Sequence, residues 1–353
     1  MHRSFSIADY AVGEDSPVFI IAEISANHNQ DLTLARETIA AAAEAGADAV
    51  KFQTYTADEL TFNGDGPWFR INEGTSWDGR TLHDLYSEGQ MPWEWHAELF
   101  SYAQKRGLIA FSSPFSARAV SLLEELDAPA YKIASFEIFD HELIAAAAST
   151  GKPVIISTGV ATQGDVRGAL DVCVRNGNED VAILKCTSAY PAPARELNLR
   201  TIPDMVATFD CVVGFSDHTM GLAAPLGAVS LGASIIERHL TLNRDKGGLD
   251  SSFSTSAEEF VELVEAIRDL EEGLGAISYE LSTSSVRNRR FGRSLFVVED
   301  VVVGQEITRD NVRSIRPADG MLPSELPKVL GSQFTRDVSA GTPLAPELFV
   351  TGD

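Results

Sequence analysis

Residues 211–218 read Cys211-Val212-Val213-Gly214-Phe215-Ser216-Asp217-His218, and residues 234–239 read Ser234-Ile235-Ile236-Glu237-Arg238-His239. Each stretch is a short, β-rich apolar run that leads into a histidine, the pattern of a buried strand bounded by turn residues. Alternate residues of a strand share a face, so Gly214, Ser216 and His218 project together, as do Glu237 and His239. The helical stretch from Gly221 to Gly232 makes the two runs a strand–helix–strand unit, with both imidazoles at the same ends of neighbouring parallel strands. A divalent metal is expected there. A pair of histidines alone is more often structural, and the rest of the chain has to supply the company that makes it a site.

The same unit recurs upstream. Strands are expected at Val18–Ser25, Ala49–Tyr55, Ile109–Phe115, Ala130–Ser135, Pro153–Gly159 and Val181–Ser188, each followed by a helical stretch. Glycine closes the helices at Gly46 and Gly107, and Pro92 sits in the first turn of another. The last helix, Ala257–Gly273, carries Phe260, Leu263, Val264, Ile267 and Leu270 at helical spacing. Eight strand–helix units within 353 residues point to an α/β fold, a (β/α)8 TIM barrel. The first strand–helix turn, Ser25-Ala26-Asn27-His28-Asn29-Gln30, lacks the glycine-rich fingerprint of a dinucleotide-binding open sheet. After Gly275 the chain changes character, and a small β-rich appendage is expected. The boundaries expected are 1–276 for the barrel, 277–291 for a linker and 292–353 for the appendage.

Composition narrows the function. The formal net charge of −23 excludes a basic nucleic-acid face. No apolar run reaches the roughly 20 residues of a membrane span, and the start, Met1 to Ser6, has no signal-peptide core, so a cytoplasmic protein is expected. Cys173, Cys186 and Cys211 are odd in number and scattered, which suggests small buried residues rather than disulfides. Against so acidic a background, lysines within strands are informative, and an anionic ligand needs them. Lys51, Lys132 and Lys185, with the hydroxyls of Ser113, Ser135, Ser157 and Ser216, suit a phosphate or carboxylate. Glu23, Glu137, Glu237 and Asp250 suit proton transfer and sugar hydroxyls. A phosphorylated small molecule reacting with a carbonyl compound fits this inventory, and spacing alone goes no further.

The motifs themselves go further. Residues 22–29 (Ala-Glu-Ile-Ser-Ala-Asn-His-Asn), 51–55 (Lys-Phe-Gln-Thr-Tyr), 131–138 (Tyr-Lys-Ile-Ala-Ser-Phe-Glu-Ile), 185–191 (Lys-Cys-Thr-Ser-Ala-Tyr-Pro), 214–219 and 236–241 resemble the sialic acid synthase family. Within it they look most like the branch that makes pseudaminic acid. The tail resembles the SAF (antifreeze-like, β-clip) domain of these synthases. The resemblance implies metal-dependent condensation of phosphoenolpyruvate with the open-chain aldehyde of an acetamido sugar, here 2,4-diacetamido-2,4,6-trideoxy-altropyranose. It implies that His218 and His239 hold Mn²⁺ (or Mg²⁺ or Co²⁺), and that Glu23 and Glu237 handle water or protons. It assigns phosphoenolpyruvate to Lys51, Ser113, Lys132, Ser135, Ser157, Ser188 and Ser216, and the sugar to Gln53, Glu137, Tyr190 and Asp250. Arg316 matches an arginine inserted into the other subunit's site, which implies a homodimer with swapped SAF domains. Two departures bear on the sugar. Ser188 stands where synthases acting on N-acetylmannosamine have Asn, and Phe136 stands in a run where they have Gly, which would suit a 6-deoxy sugar. A legionaminic or N-acetylneuraminic acid synthase, a Schiff-base aldolase and a non-catalytic carbohydrate-binding barrel are the alternatives.

Overall fold

The computed structural model describes residues 1–72, 74, 77–246 and 248–350. Its contacts divide the chain after Gly275 into a larger and a smaller unit. The larger begins with a hairpin, β1 (Ser4–Ile7) and β2 (Tyr10–Gly13). Eight parallel strands follow: β3 (Phe19–Glu23), β4 (Ala49–Thr54), β5 (Ile109–Pro114), β6 (Tyr131–Ile133), β7 (Val154–Ser157), β8 (Val181–Cys186), β9 (Val212–Asp217) and β10 (Ile235–Thr241). β10 pairs with both β9 and β3, which closes the sheet into the expected barrel. Between the strands run α1 (Leu32–Glu44), α2 (Ala57–Leu60), α3 (Leu82–Gly89), α4 (His96–Lys105), α5 (Ala117–Glu125), α6 (His141–Ala148), α7 (Gln163–Arg175), α8 (Thr201–Phe209) and α9 (Ala223–Ser230). β11 (Thr255–Ser256) pairs with the end of β10 and leads into α10 (Ala257–Leu274). Among the described residues no helix is long and apolar enough to cross a membrane.

Several elements are shorter than their sequence suggests, two of them because a 3-10 turn takes their place. The fourth barrel strand stops at Ile133 because Ser135–Phe139 winds into a 3-10 turn. The helix expected from Pro92 begins at His96, after a 3-10 turn over Trp93–Trp95.

Strand alternation sorts the barrel wall into two faces. Ile20, Ala22, Val50, Phe52, Val213, Phe215 and Ile236 point outward and form one core with the helices. Phe19, Ile21, Ala49, Phe111, Ile155, Ala182, Leu184, Val212 and Ile235 point inward, and the hairpin adds Phe5, Ile7 and Val12 to this second cluster. The apolar hairpin face thus packs with the inward side chains of the strands' first halves. Gly214 makes that floor possible: a Cβ there would lie 2.6 Å from both Ile235 Cβ and Leu184 Cδ2. One step further along the same inward faces the residues become Glu23, Lys51, Ser113, Lys132, Ser157, Cys186, Ser216 and Glu237, all buried. The lower half of the barrel is filled with hydrocarbon, and the upper half with charge.

The smaller unit has α11 (Thr283–Asn288) within the polar stretch expected as linker. β12 (Ser294–Val297) pairs antiparallel with β13 (Val312–Ile315), α12 spans Leu326–Val329, and β14 (Gln333–Phe334) pairs with β15 (Phe349–Val350). It has its own core around Leu295, Val297, Val312, Phe334 and Leu344. Within the run 294–303 the strand spans only Ser294–Val297.

Candidate active site

The upper layer is one connected ion network. Lys51 Nζ lies 2.8 Å from Glu23 Oε2 and 3.4 Å from Glu237 Oε2, and Lys132 Nζ lies 3.6 Å from Glu237 Oε1. The lysines also donate to hydroxyls, Lys51 to Ser113 Oγ at 3.3 Å and Lys132 to Ser157 Oγ at 2.6 Å. Ser216 Oγ donates to Glu237 Oε1 at 3.0 Å. Burial pushes the Glu237 carboxyl up, but the ammonium groups of Lys132 and Lys51 outweigh it and bring it down to about 2. The Glu23 carboxyl goes the other way, raised by burial and by the charge of Glu237. The pocket thus moves its two carboxyl pKa values in opposite directions. Two lysine side chains are concentrated here inside a strongly acidic protein, which suits an anionic ligand.

Beside the network sit the histidines, with ring centroids 5.3 Å apart. His218 Nδ1 donates to Thr187 O at 3.2 Å, and His239 Nδ1 lies 3.1 Å from Ser25 Oγ and 3.9 Å from Asp250 Oδ2. Burial, reinforced by His218, holds the His239 pKa well below its ordinary value, so that ring is neutral. The His218 loop is anchored from outside the barrel: Arg238 faces Asp217 at 3.5 Å and donates to the carbonyls of Thr219 and Gly221. With Nδ1 of each ring engaged by an oxygen, Nε2 remains for a cation, the tautomer arrangement that ligating histidines use. Among the described residues no three or more His, Cys, Asp or Glu side chains are arranged to hold a metal. The two rings are the nitrogen donors that could hold a divalent cation; burial keeps the His239 pKa low, whereas the contact with Cys186 outweighs burial and raises that of His218.

Several of the remaining expected residues adjoin this centre, whereas Arg316 belongs to the smaller unit. Ser135 Oγ accepts from Gly159 N at 3.2 Å. A Cβ at Gly159 would lie 2.1 Å from Ser188 Oγ, 2.9 Å from Ser135 Oγ and 3.0 Å from Cys186 Sγ, so glycine opens the space these three groups share. Tyr190 packs at a tilt against His218, centroids 4.5 Å apart and planes at 49°. Asp250 accepts from Ala26 N at 3.4 Å, and burial raises its pKa. Gln53 takes an inward position on β4, two residues beyond Lys51. Glu137 is largely buried with Oε2 lacking a hydrogen-bond partner, and burial lifts its pKa to about 7. Phe136, its neighbour, is 61% exposed. Arg316 is exposed in the smaller unit, just past β13.

Two sequence expectations change. Lys185 does not join the lysine pair: it occupies an outward position on β8, opposite Phe215 of β9, and donates to Cys186 O at 2.7 Å. Cys186 is more than a small buried residue. Its Sγ lies 3.8 Å from His218 Nδ1, and although burial pushes the thiol up, His218 and Lys132 bring it down to about 7. The sequence also gave no hint of Ser25 as a link between Glu23 and His239; Ser25 N donates to Glu23 Oε1 at 3.0 Å. Nor did it single out Phe253, whose ring lies 5.3 Å from that of His239. Its position in a polar run after β10 was the one available signal.

The chain is similar to known synthases over most of its length. A pseudaminic acid synthase of Helicobacter pylori is 44% identical over 332 residues, covering 94% of this chain and 97% of the relative. An N,N'-diacetyllegionaminic acid synthase of Legionella pneumophila is 36% identical, covering 94% of each. The crystal structure of an N-acetylneuraminic acid (sialic acid) synthetase from Leptospira borgpetersenii, in complex with citrate, superposes with a TM-score of 0.73 at 30% identity. It covers 82% of this chain and 95% of its own. The NeuB family profile matches residues 38–279 and the SAF domain profile residues 292–350. The chain belongs to the NeuB family, its barrel followed by a SAF domain.

Proposed function

We propose that the protein condenses phosphoenolpyruvate with the open-chain form of 2,4-diacetamido-2,4,6-trideoxy-altropyranose, giving pseudaminic acid and phosphate. The observation that carries the choice of sugar is the 44% identity to a pseudaminic acid synthase, against 36% to a legionaminic acid synthase over the same share of the chain. The layered barrel supports the chemistry.

Lys51 and Lys132, backed by Ser113, Ser157 and Ser216, hold the carboxylate and phosphate of phosphoenolpyruvate, and Ser135 and Ser188 line the space that Gly159 leaves open. His218 and His239 are the residues that would hold Mn²⁺ or Mg²⁺; such an ion supplies Lewis acidity toward the aldehyde oxygen. Gln53, Glu137, Tyr190 and Asp250 orient the sugar. C3 of the enol then attacks the aldehyde carbon, forming the new C–C bond, and the resulting alkoxide takes a proton from the Glu23 carboxyl. Water adds to the cationic C2 and gives its proton to the Glu23 carboxylate left by the preceding step. The tetrahedral intermediate then expels phosphate by breaking the C2–O bond, the departing phosphate taking the proton of the C2 hydroxyl, which leaves the 2-keto acid. Glu23 and Glu237 divide the proton work because their environments push their pKa values apart. Arg316 completes the sugar site of the other subunit in a swapped homodimer.

The test is phosphate release from phosphoenolpyruvate with three acceptors: the altro-configured diacetamido sugar, its manno-configured counterpart and N-acetylmannosamine. Turnover of the first alone, abolished by EDTA and restored by Mn²⁺, is the expected result. Turnover of another sugar instead would keep the reaction and replace the substrate.

A further inference from the structure

Over the histidine pair lies an aromatic group that the strand ends alone do not supply. Tyr190 and Phe253 pack on each other, centroids 5.0 Å apart, and on His218 and His239. Trp77 meets both, 6.2 Å from Tyr190 and 6.3 Å, edge to face, from Phe253. Its Nε1 donates to Leu249 O at 3.1 Å, one residue before Asp250. Trp77 comes from the long segment between β4 and α4, where Ile71 N donates to Arg80 O and Gly79 N to Ile71 O. That segment's next helix, α3, ends at Gly89, where a Cβ would lie 2.9 Å from the Tyr55 hydroxyl and 3.2 Å from Leu249 Cδ1. The Trp77–Leu249 hydrogen bond holds the segment beside Asp250, and glycine at position 89 lets its backbone approach Tyr55 and Leu249 closely.

We infer that Trp77 is a specificity residue for the acceptor sugar, forming with Tyr190 and Phe253 an apolar wall for the methyl of the acetamido group beside the aldehyde carbon. The inference rests on the reaction proposed above. With the aldehyde directed at His218 and His239, the substituent on the adjoining carbon falls on the rings that flank those histidines. A methyl gains contact there, whereas an ammonium or hydroxyl would lose water without a replacement partner. Trp77 meets Tyr190, Phe253 and the Leu249 carbonyl beside Asp250, residues on the sugar side of the proposed site, so its effect is expected on the sugar and not on phosphoenolpyruvate.

The experiment compares wild type, Trp77→Phe, Trp77→Leu and Trp77→Ala on two acceptors that differ only in N-acetyl or N-formyl at that carbon. One methyl in an apolar site is worth about 10–200-fold in kcat/KM. The wild type is expected to favour the acetyl sugar by at least about tenfold. Trp77→Ala should bring the ratio close to unity and raise KM for the sugar, with KM for phosphoenolpyruvate unchanged and Trp77→Phe retaining most of the preference. A merely structural role would lower turnover of both acceptors alike. An undiminished acetyl-to-formyl ratio in folded Trp77→Ala, or in Trp77→Leu should the alanine variant not fold, overturns the inference and leaves the reaction standing. Absence of turnover with any acetamido sugar in the wild type would retire the reaction and the inference together.

Discussion

The two halves of the barrel interior use the same strands and opposite chemistry. Ile21, Leu184 and Ile235 in the lower half sit two residues before Glu23, Cys186 and Glu237 in the upper. The lower half gains from apolar burial and close packing. The upper half holds Lys51, Lys132, Glu23 and Glu237 away from water, where desolvation costs several kcal/mol per ion and mutual attraction at best offsets it. A layer that contributes little to stability is retained for what it does to a ligand. The floor beneath it keeps the ions fixed and the pocket closed from below.

Breaking that contrast should give the largest effect at Lys51. Lys51→Met leaves Glu23 and Glu237 short of their nearest cation. It should cost about 3–5 kcal/mol in urea unfolding and lower kcat/KM by about 10²–10³-fold or more. The double variant Lys51→Met/Glu23→Met sharpens the point: stability should largely return while activity does not. If the double variant were no more stable than the single one, the upper layer would be a stabilising element after all.

Phe111→Ala, in the floor, should show the reverse. A loss of about 3–5 kcal/mol is expected from the cavity, with kcat/KM per folded molecule close to wild type. A large fall in kcat/KM would mean that the floor positions the ions more tightly than the layering implies.

Gly159→Ala probes the boundary of the anion space. A methyl 2.1 Å from Ser188 Oγ should raise KM for phosphoenolpyruvate about tenfold, equivalent to about 1.4 kcal/mol, with little change in the sugar's KM. Steady-state kinetics in both substrates would check it.

The smallest effect is a pH slope from Glu137. Its folded pKa is raised to about 7 by burial, so the fold prefers the protonated form. The associated stability is complete below the ordinary carboxylate pKa and is lost as pH rises toward and through 7. Glu137→Gln should flatten both this slope and the pH dependence of the sugar's KM between pH 6 and 8. An unchanged slope would place the titrating group elsewhere.

What the sequence makes legible follows from these forces. Buried parallel strands read as apolar β-branched runs, as in Val181–Cys186, and polar residues at their C-terminal ends mark the site. The β1–β2 hairpin escapes because four-residue strands with only Phe5, Ile7 and Val12 buried in the barrel floor leave too short a pattern. Lys185 misleads because a lysine in a strand suggests a pocket; the alternation from inward Leu184 already turns it outward. Cys186 and Trp77 act through contacts distant in sequence, with His218 and with Tyr190 and Phe253, that no local period records. The ion network was readable as residue types, but the division of protons between Glu23 and Glu237 depends on distances to Lys51 and Lys132 that only the folded barrel sets.

The central claim is that the charged layer adds water to C2 of phosphoenolpyruvate and expels phosphate by C–O cleavage. Turnover in oxygen-18 water, with the altro-configured diacetamido sugar and Mn²⁺, tests it most directly. The account predicts label at C2 of the nine-carbon product, read before the keto group exchanges, and none in the released phosphate. Label in the phosphate, with none at C2, would mean that the P–O bond breaks and would contradict it.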